Sequence, residues 1–165
     1  MDKESHSEGN LPSQLRRMVN ALISEFESAP EFDHSADEDR RKELLRQAVR
    51  GMTGEGVTYG QATGAPSYFN QDHASFRSFI REVDHDLEWQ CSTVSDAFRR
   101  YYEVGDIPAP HYPMRIAILL RKEKESELER LFLATWCRRF QNGVGVGVTY
   151  SKLIERARKV GAISG

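Results

Sequence analysis

One phrase occurs twice in this chain and constrains what can be built around it. Gly54-Glu55-Gly56-Val57-Thr58-Tyr59-Gly60 and Gly145-Val146-Gly147-Val148-Thr149-Tyr150-Ser151 share Gly-x-Gly-Val-Thr-Tyr followed by a small residue, 91 positions apart. Alternate glycines admit positive φ, which branched residues hold only at a cost, and Val-Thr-Tyr favours an extended backbone. Each copy follows a polar, helix-like run and precedes a helix start. The phrase therefore predicts a turn, a short strand, a cap and a helix. In the second copy Thr149 or Ser151 is placed to cap a helix over Lys152 to Val160, and Gly161 to close it in the left-handed conformation. Neither Gly54-x-Gly56 nor Gly143-x-Gly145-x-Gly147 completes a phosphate-binding loop or carries its Lys, so the glycines read as turn formers.

Val-Thr-Tyr leading into a helix resembles the winged helix-turn-helix domains, including those of the alkyltransferase DNA-repair proteins. The resemblance covers about seven positions in each copy and implies a small sheet beside a DNA-contacting helix. Those repair proteins carry a Pro-Cys-His-Arg active-site phrase. Here Cys91 lies in Trp89-Gln90-Cys91-Ser92 and Cys137 in Trp136-Cys137-Arg138-Arg139, so no alkyl-transfer chemistry is carried over.

Apolar periodicity supplies the helices. Leu15, Met18, Val19, Leu22, Ile23 and Phe26 follow one another at helical spacing and draw one stripe, a core or dimer-packing face. Residues 29–36 read as a linker. Ser35 with Glu38 then offers a capping box for a helix to Arg50 that buries Leu44, Leu45, Ala48 and Val49 and stops at Gly51. Asn70 or Asp72 caps a helix to about Trp89, and Ser92 or Ser95 begins another that ends at Gly105. Prolines between Ile107 and Pro113 predict an extended connection. Met114 to Leu120 then reads as a buried strand or as the start of a long helix, since a short apolar run suits either. Ser126 with Glu129 makes a second capping box, for a helix to Phe140.

These readings combine into a mainly α protein with a small two- or three-stranded sheet, a winged-helix-like α+β fold of five or six helices. Residues 1–10 read as a disordered tail, 11–50 as an N-terminal helical pair, and 51–165 as the winged-helix-like region, the last two either separate or together one compact domain. At 165 residues and 39% hydrophobic the chain suits one globular domain or two small ones sharing a core. No run approaches the roughly 20 apolar residues of a membrane span, and the polar N-terminus is unlike a signal peptide, which predicts a cytoplasmic protein with no membrane contact. Two cysteines far apart, Cys91 two residues after Trp89 and Cys137 next to Trp136, predict reduced, partly buried thiols.

Charge carries the functional reading. Residues 111–165 hold 11 basic and 5 acidic side chains, +6, whereas residues 1–50 and 51–110 sum to −3 and −5. Such asymmetry marks a nucleic-acid surface or a face that docks on acidic protein. Arg121, Lys122 and Lys124 lie in a charged turn that would serve as a wing, and Lys152, Arg156 and Lys159 share one helix face with Leu153, Ile154, Ala157 and Val160 largely opposite. Those six cations are the predicted phosphate contacts, holding the backbone and not reading bases. Glu82, Asp84, Asp86 and Glu88 give the helix before Trp89 an acidic face that phosphate would repel. His85 stands between Asp84 and Asp86, but neighbours in sequence point in different directions on a helix and cannot converge on one ion unaided. No Ser-His-Asp phrase, metal cluster or paired carboxylates stand out, so no catalytic residue, metal or cofactor is assigned. The expected function is that of a non-catalytic nucleic-acid-associated accessory or regulatory factor. The alternative is a helical adaptor or oligomerising subunit, engaging a protein partner or a second copy through the Leu15/Met18/Leu22/Phe26 helix and the acidic middle.

Overall fold

The computed structural model describes residues 9–30, 34–55, 72–104, 108–140 and 147–165. They form seven α-helices: α1 Ser13–Ser28, α2 His34–Arg50, α3 His73–Val83, α4 Leu87–Val104, α5 His111–Lys122, α6 Ser126–Phe140 and α7 Val148–Lys159. A single π-helical turn, Gly51–Glu55, continues α2 where a stop at Gly51 was expected. Among the described residues there is no β-strand, so the fold is all-α and the expected α+β, winged-helix-like architecture is overturned.

The physical reasons are local. Met114 to Leu120 lies inside α5, whose buried positions Tyr112, Pro113, Ile116, Ala117, Leu119 and Leu120 follow helical spacing. Pro113 is tolerated there because first-turn amides need no intrahelical acceptor. Arg121 therefore ends a helix and does not open a wing. In the second glycine phrase, Gly147 takes φ 113 and Val148-Thr149-Tyr150 form the first turn of α7. Helix capping by Thr149 or Ser151 is thereby replaced: Gly147 stands at the N-cap, and the Ser151 hydroxyl donates back to its carbonyl at 3.1 Å. Tyr150 is half-buried and its hydroxyl donates to the Phe140 carbonyl, fastening α7 to the end of α6. Residues 56–60 of the first copy, with the proposed strand Val57 to Tyr59, lie outside the described residues, as do residues 144–146.

The helix expected to reach Trp89 breaks at Asp84-His85-Asp86, and α4 begins at Leu87, so Ser92 and Ser95 lie within it. Asp and His are mediocre helix formers, while Asp86 and Glu88 sit where the positive end of α4 favours acids. Asp72 caps α3, accepting the amides of Ala74 at 3.0 Å and Ser75 at 3.1 Å.

The chain divides into two compact units: Met1–Ala29 with Leu87–Ser95 and Ala109–Gly165, and Pro30–Asp86 with Asp96–Pro108. In the first, α6 packs on α1, α5 and α7. Val19, Leu22, Ile23 and Phe26 of α1 are buried, and the Phe26 ring meets Phe132 at 6.3 Å and Trp136 edge-on at 5.6 Å. Arg139 at the end of α6 donates to the carbonyls of Phe26, Glu27 and Ala29, which closes the C-terminus of α1. At the N-terminal end of the first unit the Asn10 amide donates to the Glu123 carbonyl at 2.9 Å and Arg16 donates to the Gly9 carbonyl. In the second unit, Leu44, Ala48, Val83, Phe98 and Tyr101 are buried, and the Tyr102 hydroxyl donates to the Pro30 carbonyl at 2.7 Å. Leu45 and Val49, expected inside, are exposed.

Two helix ends close by the same hydrogen-bond pattern. At α7, Gly161 has φ 72, and the amides of Gly161 and Ala162 return to Arg158 and Ala157. At α5, the amides of Lys124 and Glu125 return to Arg121 and Leu120, and Lys124 takes the left-handed position with φ 61. A side chain there is strained where glycine is not. Lys124→Gly is therefore expected to raise stability by about 0.5–1 kcal/mol, read as an upward shift of the urea midpoint. A downward shift would show that the Lys124 side chain contributes more than its backbone strain costs.

Cys91 and Cys137 are free and buried. Burial pushes the Cys91 thiol up to about 12 and the Cys137 thiol up to about 11. Both folded values exceed the unfolded one, so their contribution is complete below about pH 9 and is lost as pH rises toward 11 to 12. Denaturant midpoints should be level up to pH 8 and fall by pH 10.5, with a shallower fall after Cys91→Ala and Cys137→Ala. An equally steep fall in that double variant would assign the loss to other groups.

Candidate functional site

A completely buried carboxylate organises the basic end of the first unit. Glu129 lies one turn into α6, in line with the buried Phe132, Leu133 and Trp136. Its Oε2 accepts the Nε of Arg121, from the end of α5, at 2.6 Å. Its Oε1 accepts the Nε of Arg156, from α7, at 2.8 Å. The Arg156 Nη2 lies 2.8 Å from the same oxygen and donates to the Ala117 carbonyl at 3.4 Å. Two predicted site residues, 35 positions apart, thus meet on one anion. The capping box expected of Ser126 and Glu129 is replaced by this triad.

A buried carboxylate is costly to desolvate unless both oxygens are engaged. Here both are, and two guanidiniums against one carboxylate leave a surplus positive charge at a partly open position: the Arg121 side chain is 50% exposed and that of Arg156 25%. Arg121 keeps both Nη groups, and Arg156 its Nη1, without a partner among the described residues. Lys152 and Lys159 are exposed on α7 one turn before and one turn after Arg156. Lys122 and Lys124 are exposed at the α5 end. None of these four lysines makes an ion pair among the described residues. Glu155 is the exposed acid on α7.

No protein-family model, curated protein or solved structure matches this chain.

Other sequence candidates are placed differently. His73 opens α3 and His85 lies in the corner before α4, both exposed, and among the described residues no three His, Cys, Asp or Glu side chains stand close enough to hold a metal ion. Of the Leu15/Met18/Leu22/Phe26 stripe, Leu22 and Phe26 are spent inside the first unit, while Leu15 and Met18 are half-buried. Among the described residues no helix is long and apolar enough to cross a membrane. A second carboxylate, Glu125, is buried at the start of α6, where its Oε1 accepts Arg16 and the Leu11 amide.

Sequence reasoning missed Glu129. A signal was present, because it falls three and four residues before Phe132 and Leu133 on the apolar stripe of its helix, where a charge needs a partner.

Proposed function

We propose that this protein is a non-catalytic nucleic-acid-associated factor whose basic C-terminal third contacts phosphate. The observation that supports it most is the gathering of Arg121 and Arg156 on Glu129, with Lys152 and Lys159 flanking Arg156 on one helix. Cations from two segments form one surface, and arginines held by a buried acid have already lost the side-chain freedom that binding would otherwise cost. No wing is needed: Lys122 and Lys124 are exposed at the end of α5 and add to the positive charge of this end of the chain. The contacts are to backbone phosphate, which positions a protein on nucleic acid without reading sequence. A cytoplasmic setting suits the two free thiols.

Labelled duplex DNA, single-stranded DNA and RNA, each titrated with the full chain at low salt, test this reading beside a Lys152→Glu/Lys159→Glu variant. The variant is expected to bind at least about a hundredfold more weakly, since two cations are lost and two anions gained. Equal affinity of variant and wild type, or no binding by either, would end the proposal.

A second reading, as a helical adaptor, has its own support. Leu45, Val49 and Met52, spaced by four and three, are each more than half exposed along α2 and its π turn. An apolar row of that spacing is the footprint of a helix-in-groove contact. A concentration-dependent dimer that Val49→Asp dissociates, with no nucleic-acid binding, would favour this alternative.

A further inference from the structure

We propose that Arg121 and Arg156 form a cradle for a single phosphate group, with Glu129 as its positioning residue. The idea rests on the phosphate-contacting reading above and makes it specific: a discrete oxyanion site stands within the basic surface.

Three observations carry it. Glu129 grips both guanidiniums by their Nε atoms, at 2.6 and 2.8 Å, and Arg156 also by its Nη2, so the remaining outer edges are not used in holding them. Those outer edges, both Nη groups of Arg121 and Nη1 of Arg156, have no acceptor among the described residues although both side chains are partly open to solvent. The charge is unbalanced, two cations to one anion, at a place where the anion is fully buried. A ligand that completes this set is a compact oxyanion with several acceptor oxygens, which a phosphate group satisfies by bidentate contacts. Both guanidiniums reach the one carboxylate, which brings them into the same neighbourhood. Lys152 and Lys159 add charge without fixed geometry, so the lysines supply long-range attraction and the arginines the site.

The test is a titration of the full chain with inorganic phosphate replacing chloride at constant ionic strength, followed by the arginine Nε–Hε resonances. In wild type, two of these resonances are expected to shift together and saturate, with a Kd on the order of 1 mM. Arg121→Lys keeps the charge and removes the fork, and should weaken saturation about tenfold. Glu129→Gln removes the charge and replaces one acceptor oxygen with an NH2 donor, so at most one guanidinium stays held, and it should also lose saturation with the helical circular dichroism retained; should that variant unfold, Arg121→Lys decides alone. Linear, unsaturated shifts in wild type, or equal saturation in Arg121→Lys, would overturn the cradle. Nucleic-acid binding without phosphate saturation overturns the cradle and leaves the broader reading intact. Saturation without nucleic-acid binding upholds the cradle and removes the broader reading.

Discussion

Replacing Glu129 with Ala is expected to destabilise the first unit by about 3–5 kcal/mol, because Arg121 and Arg156 would then lose the one anion that holds both of them. The magnitude follows from breaking a buried pair and not from the net worth of the pair, and the two can be separated. A triple replacement, Glu129→Met with Arg121→Met and Arg156→Met, removes the charges together and should recover most of the loss, since apolar groups of similar volume often serve as well as a buried ion cluster. Urea denaturation of the single and triple variants is the measurement. Equal losses in both would mean that the triad supports the fold through something besides charge compensation. A recovered triple variant has a second use, for it separates folding from phosphate contact: it should be stable and bind phosphate poorly.

Phe26→Ala is expected to cost a similar amount, about 3–5 kcal/mol, by a different mechanism. The ring is completely buried and packs on Phe132 and Trp136, so truncation loses apolar burial and opens a cavity between α1 and α6. Trp136 reports on the site directly: its near-ultraviolet signal should weaken in the variant before the helical signal does. Leu131→Ala, at an exposed position of α6, is the control and should lie within about 0.5 kcal/mol of wild type. A loss below 1 kcal/mol for Phe26→Ala would contradict the assignment of α1 to the core.

The comparison of these sites with the sequence follows the range of the forces involved. The α1 stripe was legible because its partners are themselves spaced along one helix, and four of its six apolar positions are buried. Gly161 was legible because a left-handed helix end is a local event. Met114 to Leu120 was not decided by its own residues, since a seven-residue apolar run fits a strand or a buried helix, and the packing of α5 on α6 and α7 decided it. The Val148-Thr149-Tyr150 phrase favours extension locally, but the Tyr150 hydroxyl bond to Phe140 and the burial of Leu153 and Ala157 hold it in helix. Tertiary packing outweighed β propensity there. The six cations were legible as a charge excess, but their arrangement was not. That Arg121 and Arg156 share Glu129 depends on α5, α6 and α7 coming together, at sequence separations of 8 and 27. Lys122, Lys124, Lys152 and Lys159 remain at the surface, as their residue type alone suggests.

Salt dependence of nucleic-acid affinity tests the central claim most directly, because its slope counts phosphates neutralised and is indifferent to how tightly any one is held. If Arg121, Arg156, Lys152 and Lys159 contact duplex DNA together, log affinity should fall against log salt with a slope of roughly −3 to −4, and Lys152→Gln with Lys159→Gln should bring it to roughly −2. A slope near zero in wild type, or one that the double variant leaves unchanged, would contradict a phosphate-contacting surface at these residues.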